Sequence, residues 1–241
     1  MMRPSHKVQR RQQAVCAALC CLVVVLFLAT SQTVGRVWRG GSGCIENTLS
    51  ANGLWVSSSS QGTVSQVILA LGSLGLEVTS LLDIGANTGA WTTNVWRAHP
   101  NVEILMLEGN LALEPALKQA SALTGHPYRM AIVGDEEKDV VFNVMCSEAA
   151  PCAGGSSVFA ETTGWGEKTE KRHMTTVDAL VAGLIPAGGF TMVKIDVQGA
   201  EVIALKGATE TLKSVQAILL ETSNVEYNKG APQTLEVRAY C

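Results

Sequence analysis

The stretch Ser80-Leu81-Leu82-Asp83-Ile84-Gly85-Ala86-Asn87-Thr88-Gly89 decides which folds remain open to the rest of the chain. Ser80 to Ile84 is a short apolar run with one acid near its end, the pattern of a strand covered on both faces. Gly85 to Gly89 reads as a tight turn, and Ala90 to Arg97 has helical character. Strand, glycine-rich turn and helix, in that order, bring exposed backbone N–H groups against a ligand, as in Rossmann-like folds. A dinucleotide site requires G-x-G-x-x-G. Position 87 is Asn where that pattern needs its second glycine, so the fingerprint fails.

The turn reads instead as D-x-G-x-N-x-G, with an acid ahead of the first glycine. S-adenosylmethionine (SAM) carries an ammonium and a sulfonium and no phosphate. A carboxylate beside the loop therefore favours SAM and disfavours a pyrophosphate. Gly85 and Gly89 are expected to let the backbone pass close to the methionine part.

Further along, Val102 to Leu107 is strongly apolar and ends in Glu108-Gly109-Asn110, 25 residues after Asp83. An acid at the end of a second strand accepts both hydroxyls of a ribose. Leu111–Ala122 is helix-like and leads to a third strand over Tyr128–Val133. The turn at Gly134-Asp135 follows, a place beside which an adenine fits. Asp139–Val144 is expected as an extra strand in a hairpin with the third. Two glycine-rich stretches, Gly154-Gly155-Ser156-Ser157 and Gly164-Trp165-Gly166, suggest a polar insertion serving as lid or substrate loop. Thr176 is a candidate N-cap for a helix to Gly183. Phe190–Asp196 is another strand ending in an acid, followed by a helix to about Leu212 and an apolar strand at Val215–Glu221. Parallel strands whose acidic ends share one edge place a site at the carboxyl end of the sheet.

Size and composition agree with an α/β domain. The 241 residues suit one domain plus an appendage, and 47% hydrophobic against 16% charged is enough for a core. Charge is unevenly spread. Residues 1–40 hold six Lys/Arg and no Asp/Glu, leaving 12 basic against 21 acidic residues, a net −9, in the remainder. Such a surface repels a phosphate backbone, so nucleic acid is excluded as the expected partner.

The basic N-terminus flanks an uncharged run from Ala14 to Thr30. As a helix that run spans about 25 Å at ~1.5 Å per residue, a little short of a ~30 Å hydrocarbon core. Arg3, Lys7, Arg10 and Arg11 precede it, and Arg36 and Arg39 follow, which predicts a cytoplasmic N-terminus and a translocated body. A signal-anchor is the first expectation, with a cleaved signal peptide or a buried helix as alternatives. The organisation so read is a basic cytoplasmic tail (1–13), a signal-anchor helix (14–30), a flexible stem (31–60) and the folded domain (61–241). The address is a secretory-pathway membrane with the domain lumenal, or secretion. Thr63–Leu76 carries apolar residues at helical spacing and is expected to cap the sheet. A lumenal address permits a disulfide between Cys146 and Cys152, free thiols being the other reading. Their spacing is no zinc pattern, and no metal site is expected.

The blocks Leu82-Asp83-Ile84-Gly85-Ala86-Asn87-Thr88-Gly89, Gly155-Ser156-Ser157, Lys194-Ile195-Asp196-Val197-Gln198-Gly199-Ala200-Glu201 and Leu205-Lys206-Gly207-Ala208 together resemble FkbM-type methyltransferases. Leu219-Leu220-Glu221-Thr222 and Tyr227-Asn228-Lys229-Gly230-Ala231-Pro232 belong to the same likeness, which covers about residues 80–237. It implies a Rossmann-like class I SAM-dependent methyltransferase, a mostly parallel sheet flanked by helices, and methyl transfer to a hydroxyl of a sugar, polyketide or similar acceptor. On the same grounds Asp83, Gly85, Ala86, Asn87 and Gly89 line the methionine end of SAM, and Glu108 with Gly109 and Asn110 the ribose. Ile132 and Val133 complete the cofactor set, and Asp196 lies near the transferred methyl. Glu108 is followed by Gly-Asn where the family often has Pro-Asn.

The chain stops soon after the last strand, so the sheet is expected to be truncated at its C-terminal edge, with an edge completed differently or a domain not fully competent as alternatives. For the proton of a hydroxyl acceptor the candidates are Asp196 and His173. The alternatives are a SAM-orienting or metal-binding carboxylate at 196 and a surface histidine at 173. Glu201 could instead bond N–H groups at its own helix start, and Lys194 could be structural. The acceptor is expected to be a small molecule or a glycan. Two competing functions are a SAM- or glycan-binding homologue without catalysis and a nicotinamide-dependent protein, the latter disfavoured by Asn87.

Overall fold

The computed structural model describes residues 20–26, 45–50, 53–58, 64–73, 75–145, 155–162 and 167–240. The N-terminal elements are strands β1 (Cys20–Leu26), β2 (Ile45–Ser50) and β3 (Gly53–Ser58), followed by helix α1 (Val64–Ser73). Next come β4 (Ser80–Ile84), α2 (Ala90–Ala98), β5 (Glu103–Glu108), α3 (Glu114–Thr124), β6 (Tyr128–Met130) and β7 (Ile132–Gly134). The remainder is β8 (Lys138–Met145), β9 (Glu167–Thr176), α4 (Val177–Val181), β10 (Met192–Ile195), α5 (Glu201–Lys206), β11 (Ala217–Ser223) and α6 (Thr234–Tyr240).

Eight strands form one sheet in the order β2-β3-β1-β11-β10-β4-β5-β6, parallel from β11 through β6. Every residue of β4 and β10 is buried, as the unbroken apolar runs require of strands covered on both faces. Alternation divides them between two cores. Leu82, Ile84, Leu105, Leu107, Val193 and Ile195 meet α4, α5 and α6 through Val177, Ala204 and Val237. Leu81, Ile104, Met106 and Met192 meet α1, α2 and α3 through Leu71, Val95 and Leu117. The mostly parallel α/β sheet flanked by helices is the architecture expected from the strand pattern. From β4 the chain moves outward through β5 and β6, then returns to lay β10 on the other side of β4. This reversal creates a crevice at the carboxyl ends of β4 and β10, where open α/β sheets bind ligands.

Several expectations are corrected. Cys20–Leu26, the middle of the run read as a membrane helix, is a strand, and its Leu-Val-Val-Val core has the β-branched character that favours this. It pairs antiparallel with both β11 and β3. Among the described residues no helix is long and apolar enough to cross a membrane. The rest of the 14–30 run lies outside the described residues, as do Cys146 and Cys152. The segment read as a flexible stem contains β2 and β3. Of the alternatives for the edge beside β11, the sheet takes the differently completed one, continuing through the N-terminal strands. The third strand breaks at Ala131 into β6 and β7. Its hairpin with the following strand does not form: β8 pairs with β9, which pairs with β7 in a separate three-stranded sheet.

Candidate functional site

The loop leaving β4 is clasped to the end of β5. Gly85 and Ala86 N–H both donate to the Leu107 carbonyl at 2.9 Å, and Asn87 N–H donates to Glu108 Oε2 at 2.8 Å. Asn87 holds φ 54, a left-handed conformation that Asn tolerates better than most residues. Gly85 has φ +79, and a Cβ there would lie 1.8 Å from the Asp196 carbonyl oxygen. Its glycine is therefore required by the close approach of β10. Glu108 Oε1 accepts Asn110 N–H at 2.7 Å, so one buried carboxylate organises two turns. Burial pushes the Glu108 carboxyl up and outweighs the lowering by those N–H bonds and Lys194.

Between these ends lies a cavity open to solvent, at the strand reversal where open α/β sheets bind ligands. One part is apolar, formed by Leu113, Ile132, Val133 and Phe142. The rest carries Glu108, Asn110, Asp196 and Gln198, with no Lys or Arg in the lining. Ser156 and Ser157 cover it, held by Met145 N–H and Asn110 Nδ2 bonding to Ser156 Oγ and by backbone bonds between Ser157 and Asn143.

The register of β10 on β4 sets Lys194 opposite Asp83. Lys194 Nζ lies 3.0 Å from Asp83 Oδ1 and 3.5 Å from Asp196 Oδ2, donates to the Gly85 carbonyl, and sits 5.4 Å from the Trp91 ring centroid. Burial acts to lower the Lys194 pKa, but the two carboxylates outweigh it and hold it above the ordinary lysine range. Thr92 Oγ1 donates to Asp83 Oδ2 at 2.6 Å. Asp196 Oδ1 accepts Gln198 Nε2 at 2.7 Å.

Of the residues singled out from the sequence, Gly85, Asn87, Glu108, Gly109, Asn110, Ile132, Val133 and Asp196 line the cavity. Asp83, Ala86 and Gly89 do not. Asp83 is fully buried, spent on Lys194 and Thr92. Ala86 is buried as well, and the space beside Gly89 is filled by Ala120 of α3. His173 is not in the lining: it stands on β9, 59% exposed, beside Glu137 and Asp139. Phe142 and Gln198 line the cavity without having been singled out as site residues. Phe142 reads as an ordinary apolar strand residue, and only the folding of β8 over Gly109 brings it in. Gln198 was legible, standing two residues after Asp196 in a turn at a strand end.

Glu201 is buried at the start of α5, where its Oε1 accepts N–H from Val197 and Gly199, both at 3.2 Å. This is the backbone-bonding role open to it from the sequence. Burial, aided by Asp196, drives its carboxyl up to about 7 against the N–H bonds.

The family model described as Methyltransferase FkbM domain matches residues 83–241. No curated protein and no solved structure matches the chain.

Proposed function

The chain belongs to the FkbM methyltransferase family, and from that premise we propose that it transfers the methyl group of SAM to a hydroxyl oxygen of a small-molecule or glycan acceptor. One observation carries the choice of cofactor. The cavity at the strand reversal joins an apolar end to two carboxylates and contains no basic side chain. A flat purine suits the apolar end, and a cationic ligand suits the carboxylates. A pyrophosphate would find no counter-charge.

The residues present fit this cofactor. Each Glu108 oxygen takes one backbone N–H and retains a second lone pair for a ribose hydroxyl. Ile132, Val133 and Phe142 give the purine an apolar wall. The chemistry that SAM supplies when bound is a methyl carbon already activated on sulfonium, so positioning of the acceptor oxygen does most of the work. Asp196 is the group suited to orient that hydroxyl and receive its proton. Lys194 and Gln198 fix its two oxygens, and its side chain is 22% exposed at the cavity wall.

Calorimetric titration of the full chain with SAM tests the reading. Glu108→Ala should abolish binding, whereas Asp196→Asn should retain it and lose turnover. A folded chain that binds a nicotinamide dinucleotide and not SAM would overturn it.

A further inference from the structure

Two hydroxyls line the cavity, those of Ser156 and Ser157, and they are spent differently. Ser157 is buried. Its Oγ accepts Phe159 N–H at 3.1 Å and donates to the Val197 carbonyl at 3.5 Å, so both capacities of that hydroxyl are used within the chain. Ser156 Oγ instead accepts twice, from Asn110 Nδ2 at 3.2 Å and from Met145 N–H at 3.1 Å.

The direction of both bonds is settled. A backbone N–H can only donate, and Asn110 Oδ1 is the end of its amide that accepts Ala112 N–H, which leaves Nδ2 for Ser156. A hydroxyl has two acceptor lone pairs and one proton. With both lone pairs taken, the Ser156 proton must point away from Asn110 and Met145, and it meets no acceptor among the described residues. Two incoming N–H bonds also polarise the hydroxyl and make it a stronger donor.

This donor is fixed in place. Ser157 pairs with Asn143 of β8 through backbone bonds of 2.8 and 3.0 Å, and Asn143 Nδ2 adds another to the Ser157 carbonyl. Asn110 is buried, and its N–H is held by the Glu108 carboxylate. Ser156 therefore stands beside the acid suited to a ribose. Two residues further on, Val158 packs with Ile132 and Phe142, part of the apolar wall suited to a purine. Such a wall meets the faces of the ring but offers nothing to its edge, where the ring nitrogens accept hydrogen bonds. The cavity's carboxylates cannot serve those nitrogens either, because an ionised carboxylate only accepts. Enclosing a ring nitrogen without a donor is unfavourable.

We propose that Ser156 is a cofactor-selecting residue, its hydroxyl proton donated to a ring nitrogen of the purine. The inference rests on the SAM reading above and adds what the segment covering the cavity does: at Ser156 it reads the base of the cofactor.

The test is calorimetric titration of the full chain with S-adenosylhomocysteine and its 1-deaza, 3-deaza and 7-deaza analogues, each of which exchanges one ring nitrogen for C–H. With the wild type, at least one analogue should bind about fivefold more weakly than the parent compound. In Ser156→Ala the parent should weaken by about the same factor, and one such analogue should lose nothing further, so that the two changes are not additive. A purely structural role, acting through Asn110 on Glu108, would weaken all four compounds equally. Ser156→Cys supplies the same comparison if Ser156→Ala fails to fold, since its sulfur still accepts N–H bonds weakly and is a poor donor. Equal affinities of parent and analogues in the wild type, equal losses across the four compounds, or unchanged affinities in the variants would overturn the assignment and leave the cofactor reading standing. A folded wild-type chain that binds none of the four strikes the cofactor reading and this assignment together.

Discussion

Glu201→Gln isolates a single buried titration. In the folded chain the Glu201 carboxyl is displaced from 4.5 to about 7, first by burial and then by Asp196, against the N–H bonds it accepts. Between those two pH values the folded protein holds a proton that the unfolded chain has released. The stabilisation this gives is complete below about 4.5 and is lost as pH rises through about 7. At about 1.4 kcal/mol per pH unit, the whole displacement amounts to about 3 kcal/mol, of which about 2–3 kcal/mol falls between pH 5 and 8. That is a large share of a typical ~5–15 kcal/mol domain stability. Gln keeps an oxygen for Val197 and Gly199 N–H and does not titrate, so any packing cost of the substitution is constant with pH. Other shifted groups, Glu108 upward and Asp178 downward, are present in both proteins and cancel. Urea denaturation of wild type and variant at pH 5, 6, 7 and 8 should show the gap moving by about 2–3 kcal/mol in favour of Glu201→Gln as pH rises. A gap that stays constant would refute the reasoning, since Glu201 would then ionise as it does in the unfolded chain.

Three further perturbations address the supports of the site. Lys194→Met leaves Asp83 charged and unpaired at full burial and should cost about 3–5 kcal/mol in thermal unfolding, with the double variant Asp83→Asn/Lys194→Met recovering much of it; a double variant no better than the single would count against the pair. Gly85→Ala drives a Cβ to 1.8 Å from the Asp196 carbonyl in a left-handed backbone. It should lower urea stability by more than about 3 kcal/mol and weaken SAM binding in any folded fraction, whereas a near-neutral effect would mean that β4 and β10 lie further apart. Deleting residues 1–30 removes the seven-residue pairing of β1 with β11 and uncovers a buried-type edge strand. Size-exclusion chromatography should then show association, and a monomer with an unchanged urea midpoint would contradict the strand assignment.

The parts of the fold legible in the sequence are those in which local pattern and tertiary environment agree. Leu81, Leu82 and Ile84 form an apolar run because β4 is covered on both faces, and Thr176 reads as an N-cap because its hydroxyl does accept Ala179 N–H. Where the pattern is compatible with two environments, the sequence misleads. An uncharged run such as 20–26 satisfies a bilayer and the interior of a sheet equally well, and only the pairing of β1 with β11 separates them. His173 lies outside the cavity lining for a related reason. Chemistry nominated it, whereas its position on β9 beside Asp139 and Glu137 follows from a strand pairing that no local signal announces. The same blindness to pairing hid Phe142.

The two acids of the strand ends show how register assigns roles that residue type cannot. Asp83 and Asp196 occupy similar places in the sequence, each closing an apolar strand ahead of a glycine-bearing turn. Parallel pairing puts Lys194 directly opposite Asp83. Side-chain alternation puts Asp196, two residues beyond Lys194, on the same face of the sheet. One ammonium therefore stands between two carboxylates and cannot serve both equally. Asp83, fully buried, takes it at 3.0 Å and completes its bonding with Thr92 on α2. Asp196, past the end of the strand, holds it at 3.5 Å and reaches the cavity wall. The acid that the D-x-G pattern advertises is thus the internal counter-ion of the fold, and the later acid in K-I-D-V-Q-G is the one that reaches the cavity wall. A slip of β10 on β4 by one residue would turn Val193 and Ile195 out of the core they share with Leu82 and Ile84, so hydrophobic alternation helps hold the register that sets Lys194 opposite Asp83. The division of labour between the carboxylates rests on that register.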